Sequence, residues 1–332
     1  MREFDYLRAD TLNAATAAAS VPGSRFLAGG TTLIDLMKCD VEQPEQLIDI
    51  TALTGLATIE LDAGRIRIGS LCKMSQVAQH EALHAIAPAL IQSLTQAASA
   101  QLRNMATIGG NIMQRTRCSY FRDAHGYQNC NKRQPGSGCA ARSGLNRNHA
   151  VLGGSEHCIA VYPGDLAVVL TAFDATLLLQ APDGSERRVM VEDFLLLPGD
   201  RPDREQDLHA GEIITAVEIP LSAALQRSHY LKVRDRSAYE FAAASAAVGL
   251  ELEADGVTLR EVRIALGGVA TRPWRLRELE QTLRGKAFNE QQLRDVASLA
   301  MLEARAQADN GYKITLGPRV IVRALLNAGG LA

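Results

Sequence analysis

The chain has little net charge, few cysteines and no long apolar run. Its 35 Lys+Arg nearly balance 37 Asp+Glu, for a formal net charge of -2. That balance gives no general attraction to a phosphate backbone and argues against a nucleic-acid role. The first ten residues, Met1 to Asp10, are charged and lack an apolar segment, so the expectation is no export signal of its own and no direct insertion into a membrane. Six cysteines in 332 residues are too few for a disulfide scaffold. Four of them nevertheless crowd between Cys118 and Cys158, which calls for a separate explanation.

Hydrophobic residues at 47% and charged residues at 22% are ordinary for a folded globular protein, and the length allows two or three compact units. The first hundred residues alternate helical and extended signals. Helices are predicted over Leu12–Ala19, Leu33–Lys38, Lys73–Leu83 and Ala87–Leu102, and strands over Arg25–Ala28, Leu47–Ile50 and Arg65–Ile68. From Thr116 to Ser155 the periodicity disappears and Gly, Asn, Arg and Pro dominate. A segment of that length without regular structure is uncommon in a compact domain unless functional, and a metal centre is one way to order it. Cys158–Gln180 regains apolar alternation and reads as a return to a sheet, and a first domain closes near Pro220. Beyond Ser228 come extended runs, Tyr230–Arg234, Phe241–Glu253 and Val257–Val269. Helical stretches follow after Trp274, over Asn289–Ala306 and from Pro318 to Leu326. Strands first and helices afterwards make an α+β unit.

Two glycine pairs carry the first chemical signal. Phe26-Leu27-Ala28-Gly29-Gly30-Thr31-Thr32-Leu33-Ile34 runs from an apolar strand through two glycines and two threonines into a helical pattern. Glycines let a backbone approach a pyrophosphate, the threonine hydroxyls can donate, and a helix start offers free N–H groups. The same residues also suit a tight turn with a threonine cap. Thr107-Ile108-Gly109-Gly110-Asn111 repeats the theme. Neither loop fits G-x-G-x-x-G or a Walker A sequence, so together they point to another way of gripping a dinucleotide, with FAD a plausible ligand.

Cys118, Cys130, Cys139 and Cys158 are separated by 11, 8 and 18 residues, so only a folded loop can bring their sulfurs together. Four thiolates suit zinc or an iron–sulfur cluster, and the absence of any C-x-x-C makes zinc the weaker choice. Between Arg103 and His149 lie seven arginines and Lys132 against Asp123 alone. Those cations, with the amides of Gly136, Ser137 and Gly138, would stabilise an anionic cluster; alternatively the loop is a solvated basic surface that docks on an acidic partner. Cys39 and Cys72 read as inert thiols, and His125, His149 and His157 as neighbours rather than ligands.

With these motifs in view, the chain resembles the FAD-binding middle subunit of the xanthine dehydrogenase (molybdenum hydroxylase) family, across residues 1–328. The Ala-Gly-Gly-Thr loop at 28–31 and the Ala-Thr-Ile-Gly-Gly-Asn loop at 106–111 carry the likeness, with Tyr162-Pro163-Gly164-Asp165, Glu212-Ile213-Ile214 and Tyr230-Leu231-Lys232-Val233-Arg234 downstream. The resemblance implies an α+β fold. A two-subdomain vanillyl-alcohol-oxidase (PCMH)-type FAD domain would span 1–222, with 115–158 as an iron–sulfur loop insertion. A C-terminal antiparallel sheet plus helices, like that of CO dehydrogenase flavoproteins, would span 223–332. It implies FAD contacts from Phe26 to Ile34, at Thr107, Gly109, Gly110 and Asn111, and at Asp165, Ile214 and Lys232. Read from the residues alone, Lys232 equally suits a surface strand position and Asp165 a cap.

The cysteine runs, including Arg117-Cys118-Ser119-Tyr120-Phe121 and Pro135-Gly136-Ser137-Gly138-Cys139, are similar to the periplasmic aldehyde oxidoreductase subtype, which holds a [4Fe-4S] cluster on four cysteines. The flavin subunit of 4-hydroxybenzoyl-CoA reductase ranks second, and a stand-alone flavin oxidoreductase is a further rival. The subtype implies a large molybdenum-cofactor partner, a small [2Fe-2S] partner, an external electron acceptor and no catalytic residue for carbon chemistry in this chain. It also implies a periplasmic location through co-export with a Tat-targeted partner, the cytoplasm being the alternative.

Overall fold

A computed structural model describes residues 1–331. Its strands form three sheets. The first is small and parallel, with β1 (Asp5–Arg8), β2 (Ser24–Leu27) and β3 (Gln46–Asp49) in the order β1-β3-β2. The helix Leu12–Ala19 carries the chain from β1 to β2 on the far side of β3, capped by the Thr11 hydroxyl, which accepts the Ala14 N–H; the parallel neighbours β2 and β3 need a crossover, and it contains the helix Leu33–Lys38. β2 runs out of this sheet into Gly29 and Gly30, and the helix Leu33–Lys38 begins three residues later.

The second sheet is antiparallel: β4 (Ile59–Leu61), β5 (Arg65–Gly69), β6 (Thr176–Gln180), β7 (Glu186–Met190) and β8 (Ile213–Pro220), ordered β4-β5-β8-β6-β7. β8 lies at the centre, buried from Ile213 to Ile219. The third sheet is also antiparallel, with β9 (Ser228–Val233), β10 (Ala244–Leu252), β11 (Leu259–Gly267) and β12 (Trp274–Arg275) ordered β12-β11-β10-β9.

β10 explains its own composition. Ala247 enters the core that contains the helix Asp165–Ala172, whereas Ala246, Val248 and Leu250 enter the core formed with the helix Tyr312–Gly329. Both faces are covered, so the strand reads as a continuous apolar run rich in small residues. The helices Pro88–Gln96 and Asp165–Ala172 each pack on this third sheet, tying it to the preceding parts of the chain.

Four expectations need correction. Lys73–Leu83 is two helices, Met74–Ala78 and Glu81–Ile86, broken at Gln79–His80. Ala87–Leu102 is likewise divided into Pro88–Gln96 and Ala100–Arg103, because Ala98 takes a left-handed φ of 48°. Within Cys158–Gln180 only Thr176–Gln180 is a strand; Asp165–Ala172 is a helix buried at every residue, so no polar face marks its period. Pro318 does not start the last helix but lies inside Tyr312–Gly329, where it leaves one helical hydrogen bond unmade. Among the described residues, no helix is long and apolar enough to cross a membrane.

Candidate functional site

The two glycine loops meet. A Cβ on Gly29 would overlap the Met105 carbonyl oxygen and lie 3.2 Å from Ala106 Cα, so only glycine lets the loops touch along their backbones. Gly30 has a φ of +70° and turns the chain into Leu33–Lys38. The amides of Gly30, Thr31 and Thr32 donate to no protein acceptor among the described residues, and the Thr32 hydroxyl does not cap the helix. Phe26, Leu27, Ala28, Leu33 and Ile34 flank this turn and are all partly exposed.

The second loop rests on a third turn. Gly109 N–H donates to Ser70 O at 2.8 Å, Ile108 N–H to Cys72 O at 2.9 Å and Met74 N–H to Ala106 O at 2.9 Å. Thr107 caps the helix Ile108–Ile112 by accepting the Gly110 N–H at 3.2 Å. A Cβ on Gly109 would come within 2.9 Å of Ser70 Cβ. Two buried polar atoms here, Ser70 Oγ and Asn111 Oδ1, have no hydrogen-bond partner in the protein. A buried hydroxyl and carbonyl without partners carry a desolvation cost that a polar ligand would remove. Ser70 was not among the expected site residues; the Gly69-Ser70 turn at the end of β5 was its only sequence signal.

Asp165, Lys232 and Ile214 lie deeper. Lys232 Nζ donates to Asp165 Oδ2 at 2.7 Å and to Gln96 O at 3.2 Å, and the Tyr230 hydroxyl donates to Asp165 Oδ1 at 2.5 Å. The lysine side chain is 1% exposed, which rules out the surface-strand alternative, and Asp165 makes an ion pair instead of a cap. Burial pushes the Asp165 carboxyl up, against the pull of Lys232. Ile214 is buried on β8, next to Thr215, whose carbonyl accepts the Ser70 N–H. The helix Ile108–Ile112 packs on the helix Asp165–Ala172, whose first residue makes this ion pair.

All four clustered cysteines line one pocket, together with Lys132 and His157. Cys130 and Cys139 face each other across an isolated β-bridge. Burial raises the Cys118 thiol to about 12 and also raises Cys158, on which Lys132 exerts an opposing pull. No disulfide joins them. Among the described residues no three Cys, His, Asp or Glu side chains come close enough to hold one metal ion. His149 Nε2 lies 3.2 Å from Cys118 Sγ, whereas His125 pairs loosely with Asp40 and His157 with Asp200.

The basic residues of this segment are staples. Arg117 and Arg122 both bond Asp35 on the helix Leu33–Lys38; Arg115 joins Glu42 to Glu205, and Lys132 bonds Glu205 at 3.2 Å. Leu36 packs with Phe121 and Cys130. The cysteine segment thus clasps the helix that follows the first glycine loop. Ser137 and Gly138 N–H groups are already used by Gln134 O and Asn131 Oδ1.

Comparison with known proteins decides the family. Residues 2–222 match the FAD binding domain in molybdopterin dehydrogenase, and residues 229–328 match the CO dehydrogenase flavoprotein C-terminal domain. The chain belongs to the FAD-binding subunits of the xanthine dehydrogenase family. This flavoprotein is 43% identical over 331 residues to the aldehyde oxidoreductase FAD-binding subunit PaoB of Escherichia coli, covering 99% of both chains. It is 27% identical to the glyceraldehyde dehydrogenase medium chain of Sulfolobus acidocaldarius, covering 93% of this chain and 90% of that one. Its fold matches a chain of reconstituted CO dehydrogenase from Oligotropha carboxidovorans with a TM-score of 0.77 at 24% identity, over 100% and 99% of the two chains.

Proposed function

We propose that this flavoprotein is the electron-transferring subunit of a molybdenum-dependent aldehyde oxidoreductase. It would take electrons from a small [2Fe-2S] partner, itself fed by a large molybdenum-cofactor subunit, and pass them through FAD to an external acceptor. The aldehyde assignment rests on the likeness to PaoB across nearly the whole length of both chains. FAD supplies the step between one-electron donors and a two-electron store. The loops at 28–34 and 107–111 would hold its pyrophosphate and ribityl chain. Free amides at Gly30, Thr31 and Thr32 suit phosphate oxygens, and the orphaned Ser70 Oγ and Asn111 Oδ1 suit the polar chain beside them. Asp165 and Lys232 would fix the floor of that site through their buried ion pair.

We further propose that Cys118, Cys130, Cys139 and Cys158 hold a [4Fe-4S] cluster. The observation that carries this reading is that four cysteines far apart in sequence line a common pocket. Such a donor set fits a cubane, which spreads its thiolates, better than a single zinc ion. The clasp through Asp35 and Glu42 puts this pocket beside the FAD loop. Co-export to the periplasm beside a Tat-targeted partner is the proposed location, with the cytoplasm as the alternative.

The complex purified without oxygen tests both readings by absorption and by flavin, iron and sulfide content. Flavin bands with a broad brown shoulder, and four irons beyond those of the [2Fe-2S] partner, are expected. Flavin without the extra iron would remove the cluster alone, and protein with neither would remove the whole proposal.

A further inference from the structure

His149 makes a contact that neither FAD binding nor thiolate ligation accounts for. Its ring is buried, its Nε2 lies 3.2 Å from Cys118 Sγ, and its Nδ1 has no hydrogen-bond partner. Among the described residues the sulfur is the ring's hydrogen-bond partner. Among the described residues, Cys118 is the only one of the four pocket cysteines whose sulfur meets a side-chain nitrogen at hydrogen-bonding distance; Cys158 Sγ accepts only the Ala160 amide, at 3.5 Å.

The backbone around His149 is fixed from several sides. His149 N–H donates to Asn146 O at 2.9 Å, and Ala150 N–H to Ile159 O at 2.9 Å. Asn310 Nδ2 donates to the carbonyls of His149 and Ala150. Asn146 is itself fully buried and held to Ala141 O and Gly144 O. Chain parts distant in sequence thus converge to aim one imidazole at one sulfur. A liganding sulfur is a thiolate, and beside it the favourable arrangement has the proton on Nε2, donating to sulfur.

We infer that His149 is a positioning residue whose Nε2–H donates to the Cys118 thiolate and raises the reduction potential of the group held by the four cysteines. This rests on the cluster reading above. The reduced cluster carries one more electron, part of it on the sulfurs, so a donor at a sulfur stabilises the reduced form more than the oxidised one. Removal of the donor should favour the oxidised form.

The test is an EPR-monitored redox titration of the intact complex with His149→Leu and His149→Gln. The Leu variant should keep its iron and show an oxidised-to-reduced ratio about tenfold higher at a given potential, a shift of about 59 mV to the negative for one electron. The Gln variant, whose amide can still donate, should recover much of that shift. An unchanged potential in a fully loaded Leu variant overturns the inference. Should the Leu variant lose its cluster, pulsed EPR on wild-type complex labelled with 15N-histidine decides: one weak nitrogen coupling at the cluster supports the hydrogen bond. No coupling, or a coupling strong enough for direct Fe–N ligation, overturns it. A wild-type complex without the cluster signal would instead remove the cluster reading itself.

Discussion

A Cβ on Gly29 would lie 2.7 Å from the carbonyl carbon of Met105, so the two glycine loops can sit together only while position 29 has no side chain. An added methyl group must push apart backbone on both sides, which costs about 1–3 kcal/mol or more. Because the loops are the proposed walls of one FAD site, the displacement should appear as lost flavin as well as lost stability. Gly29→Ala is expected to weaken FAD retention by about tenfold or more. Gly55→Ala, where the added Cβ meets nothing within 4 Å, should keep it. Flavin-to-protein ratios after gel filtration make the comparison, and equal ratios in the two variants would refute the shared-wall geometry.

Asp165 and Lys232 form a buried ion pair whose remaining polar contacts come from Tyr230 and Gln96. Removing one charge leaves the other in the core without its counterion, a change that costs about 3–5 kcal/mol. Asp165→Asn should therefore melt far below wild type. Asp165→Leu combined with Lys232→Met should recover much of the loss, since replacing both charges leaves no bare ion. A double variant no more stable than Asp165→Asn would mean that the pair is not the source of the cost.

How much of this was legible in the sequence follows from how local each feature is. Leu12–Ala19 could be read to the residue from its run of alanines, and Leu33–Lys38 from apolar residues at helical spacing. Asp165–Ala172 could not, because burial on all sides removes that signal. The glycine pairs were visible, but their contact is tertiary, and Ser70 entered the site only through the packing of its turn under Gly109. The positive charge of the 103–149 segment was equally plain. Its partners Asp35, Glu42 and Glu205 lie far away in sequence, so nothing local distinguished an internal clasp from a solvated docking surface. His149 stands 31 residues from Cys118, with no spacing rule to link them.

Lys313 offers a pH test of the third sheet's packing. Its side chain is buried beneath β11, with Nζ donating to Gly268 O, and no carboxylate pairs with it among the described residues. Burial, helped by the charge of Arg147, lowers its pKa from 10.5 to about 8. The folded chain then binds fewer protons than the unfolded chain between about pH 8 and 10.5, so this residue makes stability rise with pH across that window. Below pH 8 the full penalty applies, on the order of 3 kcal/mol. Lys313→Met removes the buried charge and keeps most of the volume. Its melting temperature at pH 7 should equal or exceed that of wild type, and its advantage should shrink steadily towards pH 10. An offset between the two proteins that stays constant from pH 7 to 10 would show that Lys313 binds its proton in the fold as it does in the unfolded chain, so that its charge is buried at no cost.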